Sequence, residues 1–356
     1  MYDLLQNIIG NDIVAFFAAA AIPLFLFILP YALIAVLAER KVSAHMQDRL
    51  GPMRVGWHGV LQTVADFIKL LQKEDIVADA NDKALFNIAP YLVFVATLAT
   101  YTMLPFTSIF AGSNADVGIF FVLAASGAVV AGILMAGWAS NNKYSLYGSL
   151  RAAAQIVSYE IPTALVILSI VMWTQTMSLA TMSEMQTAYF WNWNIFGGAD
   201  WGITKLILIP FMLVAFTIFY ISSLAEVNRT PFDMPEAESE LVAGYNTEYS
   251  GMKFAMFFLA EYGNMFAVSA IVSVIFFGGY QSPLGYLGNT LGIEWLVPFE
   301  QVFWFALKGV FFVFVQMWLR WTLPRVRVDQ LMTICWKYLI PYSFLNLIII
   351  GIITLI

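Results

Sequence analysis

Eight long apolar segments, separated by polar linkers, follow one another along the 356-residue chain. An apolar run of about 20 residues is long enough to cross the hydrocarbon core of a bilayer as an α-helix. The pattern therefore predicts an all-α integral membrane protein with about eight transmembrane helices, forming a single membrane domain over residues 1–356. The predicted spans are 13–38, 86–111, 117–139, 152–176, 203–224, 254–278, 299–320 and 337–356.

Composition agrees with a lipid-embedded chain. Hydrophobic residues make up 61% of the sequence and charged residues only 11%, whereas soluble domains have about 45–50% and about 25%. The first eleven residues contain no Lys or Arg, which is unlike a secretory signal or a transit peptide. The first apolar stretch is therefore expected to remain as a span.

The basic residues predict the orientation of these spans. Of the 17 Lys and Arg residues, all except Lys205 and Lys308 lie in or beside the linkers that follow the first, third, fifth and seventh spans. Cytoplasmic loops carry such an excess of positive charge. The linkers 39–85, 140–151, 225–253 and 321–336 are therefore predicted to be cytoplasmic. Both termini would then lie on the outer side of the membrane, away from the cytoplasm.

Residues 57–73 of the first linker predict an amphipathic helix. Asp66 lies opposite its apolar face, and the segment is too charged to span a membrane. We therefore interpret it as an interfacial helix on the membrane surface. The alternative is a solvated helix that covers a cytoplasmic partner. The residues of the apolar face are Trp57, Val60, Leu61, Val64, Ile68 and Leu71.

The linker after the fifth span is strongly acidic. Its only basic residue before Lys253 is Arg229. Carboxylates this close together titrate as a coupled set, and such a set can store and pass protons. A solvated acidic loop is the alternative, and it is the more common fate of a charged run. The carboxylates are Glu226, Asp233, Glu236, Glu238, Glu240 and Glu248.

Two further carboxylates lie inside predicted spans. Glu160 lies well within the fourth span and Glu261 near the start of the sixth. Ionisable groups are costly in a bilayer, so each indicates a functional site. Pro162 removes a backbone hydrogen bond and is predicted to open the helix near Glu160. The alternative is a locally paired or snorkelling glutamate with a structural role. Together with the acidic linker, Glu160 and Glu261 predict a protonatable path from a cytoplasmic-side cavity towards mid-membrane.

The sequence excludes several kinds of redox centre on this chain. A single cysteine, Cys335, cannot form a disulfide framework or hold an iron–sulfur cluster alone. The two histidines, His45 and His58, lie in one linker and cannot ligate a haem between spans. We therefore expect no metal or haem on the chain, and an inert interfacial thiol at Cys335.

Several segments resemble the family of the H-type membrane subunit, also called subunit 1, of respiratory complex I, the proton-translocating NADH:quinone oxidoreductase. They follow one another in the order of the family, between about residues 35 and 340. The longest block, residues 225–262, is also the most specific. The segments are AERK at 38–41, MQDRLGP at 46–52, LYGSLRAAAQIVSYE at 146–160, AEVNRTPFDMPEAESELVAGYNTEYSGMKFAMFFLAEY at 225–262 and PRVRVDQLM at 324–332.

This resemblance implies eight tilted helices whose cytoplasmic loops seal a narrow quinone chamber. The chain would be a subunit of a translocase, coupling quinone reduction to proton pumping. The chamber and its entrance would be lined by Glu39, Arg40, Arg49 and Asp66, with Arg229 and Asp233 in a gating loop. An acidic funnel would contain Glu226, Glu236, Glu238, Glu240 and Glu248, continued into the membrane by Glu160 and Glu261.

The resemblance also implies the partners. Ubiquinone or menaquinone would bind as substrate, while NADH, FMN and iron–sulfur clusters would belong to other subunits, with no flavin here. The terminal iron–sulfur subunit and the 49-kDa-type subunit would lie above the chamber, with small membrane subunits, antiporter-like subunits and lipid beside it, and no nucleic acid. One alternative is the equivalent subunit of a membrane-bound hydrogenase or formate hydrogenlyase. Another is a stand-alone ion carrier, for which no internal repeat is visible.

Overall fold

The computed structural model describes residues 24–108, 115–198, 202–235 and 238–355. These ranges contain helices and no β-strand, which confirms the predicted all-α membrane fold. Seven of the helices in them are long and apolar enough to cross a bilayer. Of the first predicted span, 13–38, residues 13–23 lie outside the described ranges.

The helices are numbered in chain order. A π-helical turn, Leu24–Ile28, leads into the first of them, and another, Ile334–Leu339, joins the last two into one span. The helices are α1 Leu29–Met46, α2 Gln62–Gln72, α3 Lys83–Thr102, α4 Gly118–Ala139, α5 Lys143–Thr174, α6 Leu179–Met185, α7 Ile203–Glu226, α8 Glu238–Leu241, α9 Gly251–Phe276, α10 Leu287–Leu291, α11 Val297–Thr322, α12 Val328–Thr333 and α13 Ile340–Leu355.

Two helix ends differ from those that the apolar pattern predicts. Local chemistry accounts for both differences. Helix α3 ends at Thr102, whereas the apolar run continues to 111, because Pro105 has no N–H and restricts the residue before it. Helix α5 begins at Lys143, whereas the apolar run begins at 152. The Asn142 side chain caps α5 by accepting a 2.9 Å hydrogen bond from the N–H of Tyr144.

Small residues bring the spans close together. A Cβ added at Gly132 of α4 would lie 2.5 Å from the Val93 side chain of α3. One added at Gly137 would lie 2.0 Å from the Ser149 hydroxyl of α5. Such contacts are typical of helix interfaces in membranes, where packing replaces the hydrophobic effect between helices.

One end of the bundle carries most of the charge. We call it the basic end: α1, α4, α7 and α11 end there, and α3, α5, α9 and α12 begin there. The opposite end is called the far end. Helix α2 lies at the basic end and contacts α1 and α9. The apolar side chains of its predicted face, such as Leu61, Ile68 and Leu71, are exposed, whereas Asp66 is turned towards the bundle.

Candidate functional site

Arg229, three residues after α7, lies at the centre of a group of charged side chains buried at the basic end. Its Nη1 is 3.4 Å from Oε1 of Glu39, and its Nε is 3.1 Å from Oε1 of Glu261. Its guanidinium also lies over the ring of Tyr262, 4.6 Å from the ring centre. Only 3% of the Arg229 side chain is exposed, so these groups replace the water that a cation would otherwise bind.

Glu39 has further partners in the same group. Nη1 of Arg320, at the end of α11, bonds to the oxygen that Arg229 approaches, and the hydroxyl of Tyr262 donates to the other oxygen. The two carboxylates and two guanidiniums carry equal and opposite formal charge, which is how buried ions are tolerated. We call Glu39, Arg229, Glu261, Tyr262 and Arg320 the charge cluster.

Electrostatics keep Arg229 positively charged. Burial alone would lower the pKa of its guanidinium, but the carboxylates of Glu261 and Glu39 outweigh that effect. Together with Tyr262 they raise the pKa well above the ordinary value for arginine. The charge cluster therefore contains a permanent cation, and a change of charge there must come from its acidic members or from a ligand.

An apolar pocket of about 260 Å³ lies beside the charge cluster, between α1, α2 and α9. Its polar wall contains Arg40 and Asp66, which form a 2.6 Å ion pair, and Gln62 also donates to Asp66. Tyr262 lines the pocket and bonds to Glu39, so the pocket ends directly on the charge cluster. The apolar side chains that line it include Leu29, Leu33, Val36, Phe67, Leu70, Phe254, Phe258 and Leu259.

The segment that carries Arg229 and Asp233 is fastened from two sides. Gln155 of α5 donates from Nε2 to the carbonyl oxygens of Ala225, at 2.7 Å, and Phe232, at 2.8 Å. Asp233 is buried and accepts a 3.0 Å bond from Arg325, in the linker before α12. These contacts fix the position of Arg229 relative to the spans.

Glu160 and Glu226 form a second acidic site, inside the bundle where α4, α5 and α7 meet. The hydroxyl of Ser126 in α4 lies 3.2 Å from Oε1 of Glu160, and Glu226 interacts with the same hydroxyl. A cavity of about 50 Å³ is lined by Ser126, Glu226, Thr163 and Asn264, among other side chains. A water needs roughly 10–15 Å³ of such space and two to four polar partners, so this cavity has room for a few waters.

Other predicted site residues lie away from the charge cluster. Glu240 is exposed and pairs with Arg151 at 2.6 Å, while Glu248 accepts a 2.7 Å bond from the Asn142 side chain. Arg49 is exposed, and its Nε donates to the Gln47 side chain at 2.7 Å. Glu236 falls outside the described residues, and Glu238 is the first residue of α8 with a side chain that is not described.

Two members of the charge cluster were not singled out from the sequence. Arg320 ends a predicted span, where a basic residue is interpreted as a marker of orientation. Tyr262 directly follows Glu261 but carries no formal charge. Only their bonds to Glu39 reveal them. Within the part of the chain that the structure describes, no set of three or more His, Cys, Asp or Glu side chains is arranged to hold a metal ion.

The seven apolar spans in the described ranges, together with the buried charge cluster, define a multi-pass, all-α membrane protein. The sequence profile of the NADH dehydrogenase family matches residues 19–351. Proteins named as the H subunit of NADH-quinone oxidoreductase are similar over most of their length. The one from Chlorobium luteolum is 52% identical over 94% of this chain and 87% of its own length. The one from Brevibacillus brevis is 43% identical over 99% and 98%.

A third such protein, from Chlorobaculum tepidum, is 52% identical over 94% of this chain and 90% of its own length. The chain therefore belongs to the NADH dehydrogenase family and, within it, to the H subunits of NADH-quinone oxidoreductase, or complex I. This confirms the resemblance that the sequence motifs indicated.

Proposed function

We propose that this chain forms the membrane part of the quinone-binding chamber of a proton-translocating NADH:quinone oxidoreductase. The observation that carries the proposal is the apolar pocket that ends on the charge cluster. A membrane quinone likewise has an apolar part and a polar part: a long apolar tail and a head whose carbonyls accept hydrogen bonds. Ligand sites commonly combine apolar walls with a few polar groups that orient the ligand.

The quinone enters from the bilayer between α1 and α9, at the level of α2. The exposed apolar face of α2 rests on the membrane surface, while Asp66 and Arg40 on its inner side meet the head group. Electrons arrive from the terminal iron–sulfur subunit, which with the 49-kDa-type subunit lies above the basic end. This chain supplies binding and electrostatics rather than a redox group. Ubiquinone and menaquinone share the head-group carbonyls that these side chains recognise.

Coupling begins in the charge cluster. Reduction of the quinone to quinol consumes two electrons and two protons, and the proton uptake alters the charge facing Glu39 and Arg229. Because Glu39 is shared by two guanidiniums and one hydroxyl, its protonation would free at least one cation to change partner. The charge cluster can thereby convert a chemical step into a rearrangement of side chains.

Helix α9 connects the charge cluster to the membrane carboxylates. Glu261 belongs to the cluster, and Asn264, one turn later on the same helix face, lines the cavity that contains Glu226. Ser126 links that cavity to Glu160. We infer that protonation changes pass along this series and continue to the antiporter-like subunits. The basic end faces the cytoplasm, the termini face the periplasm, and the membrane is the bacterial inner membrane.

Photolabelling of the assembled complex tests the chamber. A quinone analogue with a photoreactive head group is expected to label residues 29–40, 63–70 and 254–262, and excess natural quinone should suppress that label. A photoreactive isoprenoid without a quinone head is the control. It should label lipid-facing side chains such as Phe303 and Phe311 of α11, and quinone should not compete. Suppressible label found entirely on other subunits would overturn the proposal.

A further inference from the structure

Among the described residues, three prolines each lie in the interior of a single α-helix. They are Pro90 in α3, Pro162 in α5 and Pro210 in α7. Proline has no backbone N–H, so the carbonyl four residues earlier loses its helical donor. The deprived carbonyls belong to Phe86, Ser158 and Leu206. Inside a membrane such a group needs another donor, because there is little water to supply one.

The Ser158 carbonyl receives its donor from the last span. The thiol of Cys335, in the π-helical turn Ile334–Leu339, donates to it at 3.1 Å. A second bond runs in the opposite direction, from the Tyr159 hydroxyl to the Leu331 carbonyl, at 2.9 Å. Cys335 and Tyr159 are both fully buried. We call these two hydrogen bonds the carbonyl clasp.

The other two prolines show where such side-chain donors occur. The Phe86 carbonyl also receives a side-chain donor, the hydroxyl of Tyr249, at 3.3 Å. Leu206, by contrast, is 75% exposed on the outside of the bundle, and no side-chain donor to its carbonyl is found in the described parts of the chain. Proline-released carbonyls inside the bundle are thus supplied from other segments of the chain.

Glu160 lies in the turn that the carbonyl clasp closes, between Ser158 and Pro162. We propose that Cys335 is a positioning residue for Glu160, because its thiol fixes the bend of this turn and so holds the carboxylate beside Ser126. The inference rests on the coupling role proposed above for Glu160. It gives the only cysteine of the chain a function that its sequence context does not reveal.

A missing backbone hydrogen bond leaves a flexible point in a helix. A helix bends where its backbone ladder is interrupted, and the bend depends on what satisfies the freed carbonyl. Without the thiol, the turn must move until the Ser158 carbonyl finds water or another donor. A displacement of about 1 Å would break the contact between Ser126 and Glu160, because hydrogen bonds fail beyond roughly 3.5 Å.

The test measures protons pumped per NADH oxidised by the assembled complex in inverted membrane vesicles. Cys335→Ala removes the donor, and we expect this ratio to fall below the wild-type value, because Glu160 is then held beside Ser126 in fewer turnovers. Cys335→Ser keeps a donor at the same place and should restore the ratio. A merely structural defect would reduce the amount of complex and its total activity but leave the ratio unchanged.

A double-mutant cycle provides a more specific test of the inference. Pro162→Ala restores a backbone N–H for the Ser158 carbonyl, so Cys335→Ala should have little further effect in that background. Pro210→Ala is the matched control, because it repairs a different helix and should leave the effect of Cys335→Ala intact. Equal ratios for Cys335→Ala and Cys335→Ser, or an additive cycle with Pro162→Ala, would overturn the inference.

Glu160→Gln separates this inference from the proposed function. If Glu160→Gln lowers the ratio and Cys335→Ala does not, the coupling role stands and only the positioning role fails. If Glu160→Gln leaves the ratio unchanged, the coupling role fails, and the positioning role fails with it.

Discussion

The two ends of the bundle hold their charges by different means. At the basic end, ions pair with ions, as Arg229 does with Glu39 and Glu261. At the far end, ions bind main-chain groups. Lys308 of α11 donates to three carbonyl oxygens just after α9, at 2.6, 3.0 and 2.6 Å, and Glu300 accepts the N–H groups of residues 287 and 288 at 2.9 and 3.0 Å.

This difference separates a responsive region from a fixed one. A backbone carbonyl or N–H cannot change its charge, so the main-chain partners of Lys308 and Glu300 cannot respond by gaining or losing a proton. Both ions also lie where helix dipoles favour them, the cation at a C-terminus and the anion at an N-terminus. Carboxylates can gain protons and guanidiniums can exchange partners, so the basic end can respond to nearby chemistry.

Replacing Arg229 with methionine should have the largest effect. It removes the guanidinium that Glu39 and Glu261 share in a buried site, and breaking a buried ion pair costs about 3–5 kcal/mol. We expect quinone reduction to fall by roughly 100-fold or more. Oxidation of NADH with a water-soluble acceptor should persist. The measurements are both activities of the purified complex and its thermal unfolding.

The double variant Arg229→Met/Glu261→Leu serves as the control. Replacing both ions with apolar side chains of similar size is often neutral for stability. Unfolding should therefore recover substantially while quinone reduction stays low. Normal quinone turnover in the single variant would show that the charge cluster has only a structural role, like the ions at the far end.

Tyr262→Phe should have the next largest effect. It removes the hydroxyl that donates to Glu39 but keeps the ring beneath Arg229. A hydrogen bond to a charged group contributes about 1.5–3 kcal/mol, so we expect about a tenfold loss of quinone turnover. Tyr31→Phe is the matched control, because the buried Tyr31 hydroxyl makes no hydrogen bond among the described residues. Equal losses in the two variants would contradict a specific role for Tyr262.

The sequence predicted the spans better than it predicted the charge cluster. Long apolar runs reveal helices because the bilayer demands them, but polar turns such as those at the start of α5 extend a helix without that signal. Glu39, Arg229 and Glu261 were each identified as candidates. The contact between them was not predicted, because Glu39 and Arg229 are 190 residues apart and only the folded bundle brings α1 next to the segment that follows α7.

Lys308→Met should affect stability alone. Removing the ammonium leaves carbonyl oxygens after α9 without their donor, which costs roughly 1–3 kcal/mol. We expect a lower unfolding temperature and unchanged quinone turnover for each assembled complex. Lys308→Arg keeps a cation and several donors there and should recover part of the stability. A large loss of turnover in fully assembled Lys308→Met complex would contradict the structural assignment of the far end.

Glu240→Gln should have the smallest effect on stability. The Arg151–Glu240 pair has side chains that are 33% and 60% exposed, and exposed pairs contribute about 0–1 kcal/mol. Asp79→Asn, which breaks the exposed pair with Lys83, should be equally mild and is the control. The informative quantity is therefore quinone turnover.

A sharp loss of turnover in Glu240→Gln, without one in Asp79→Asn, would place the acidic linker in the proton path, since stability could not explain it. Wild-type turnover in both variants would show that the exposed part of this linker is a solvated acidic loop. Coupling would then be confined to side chains that the bundle shields from water, because only there does one proton change the electrostatic energy enough to move neighbouring groups.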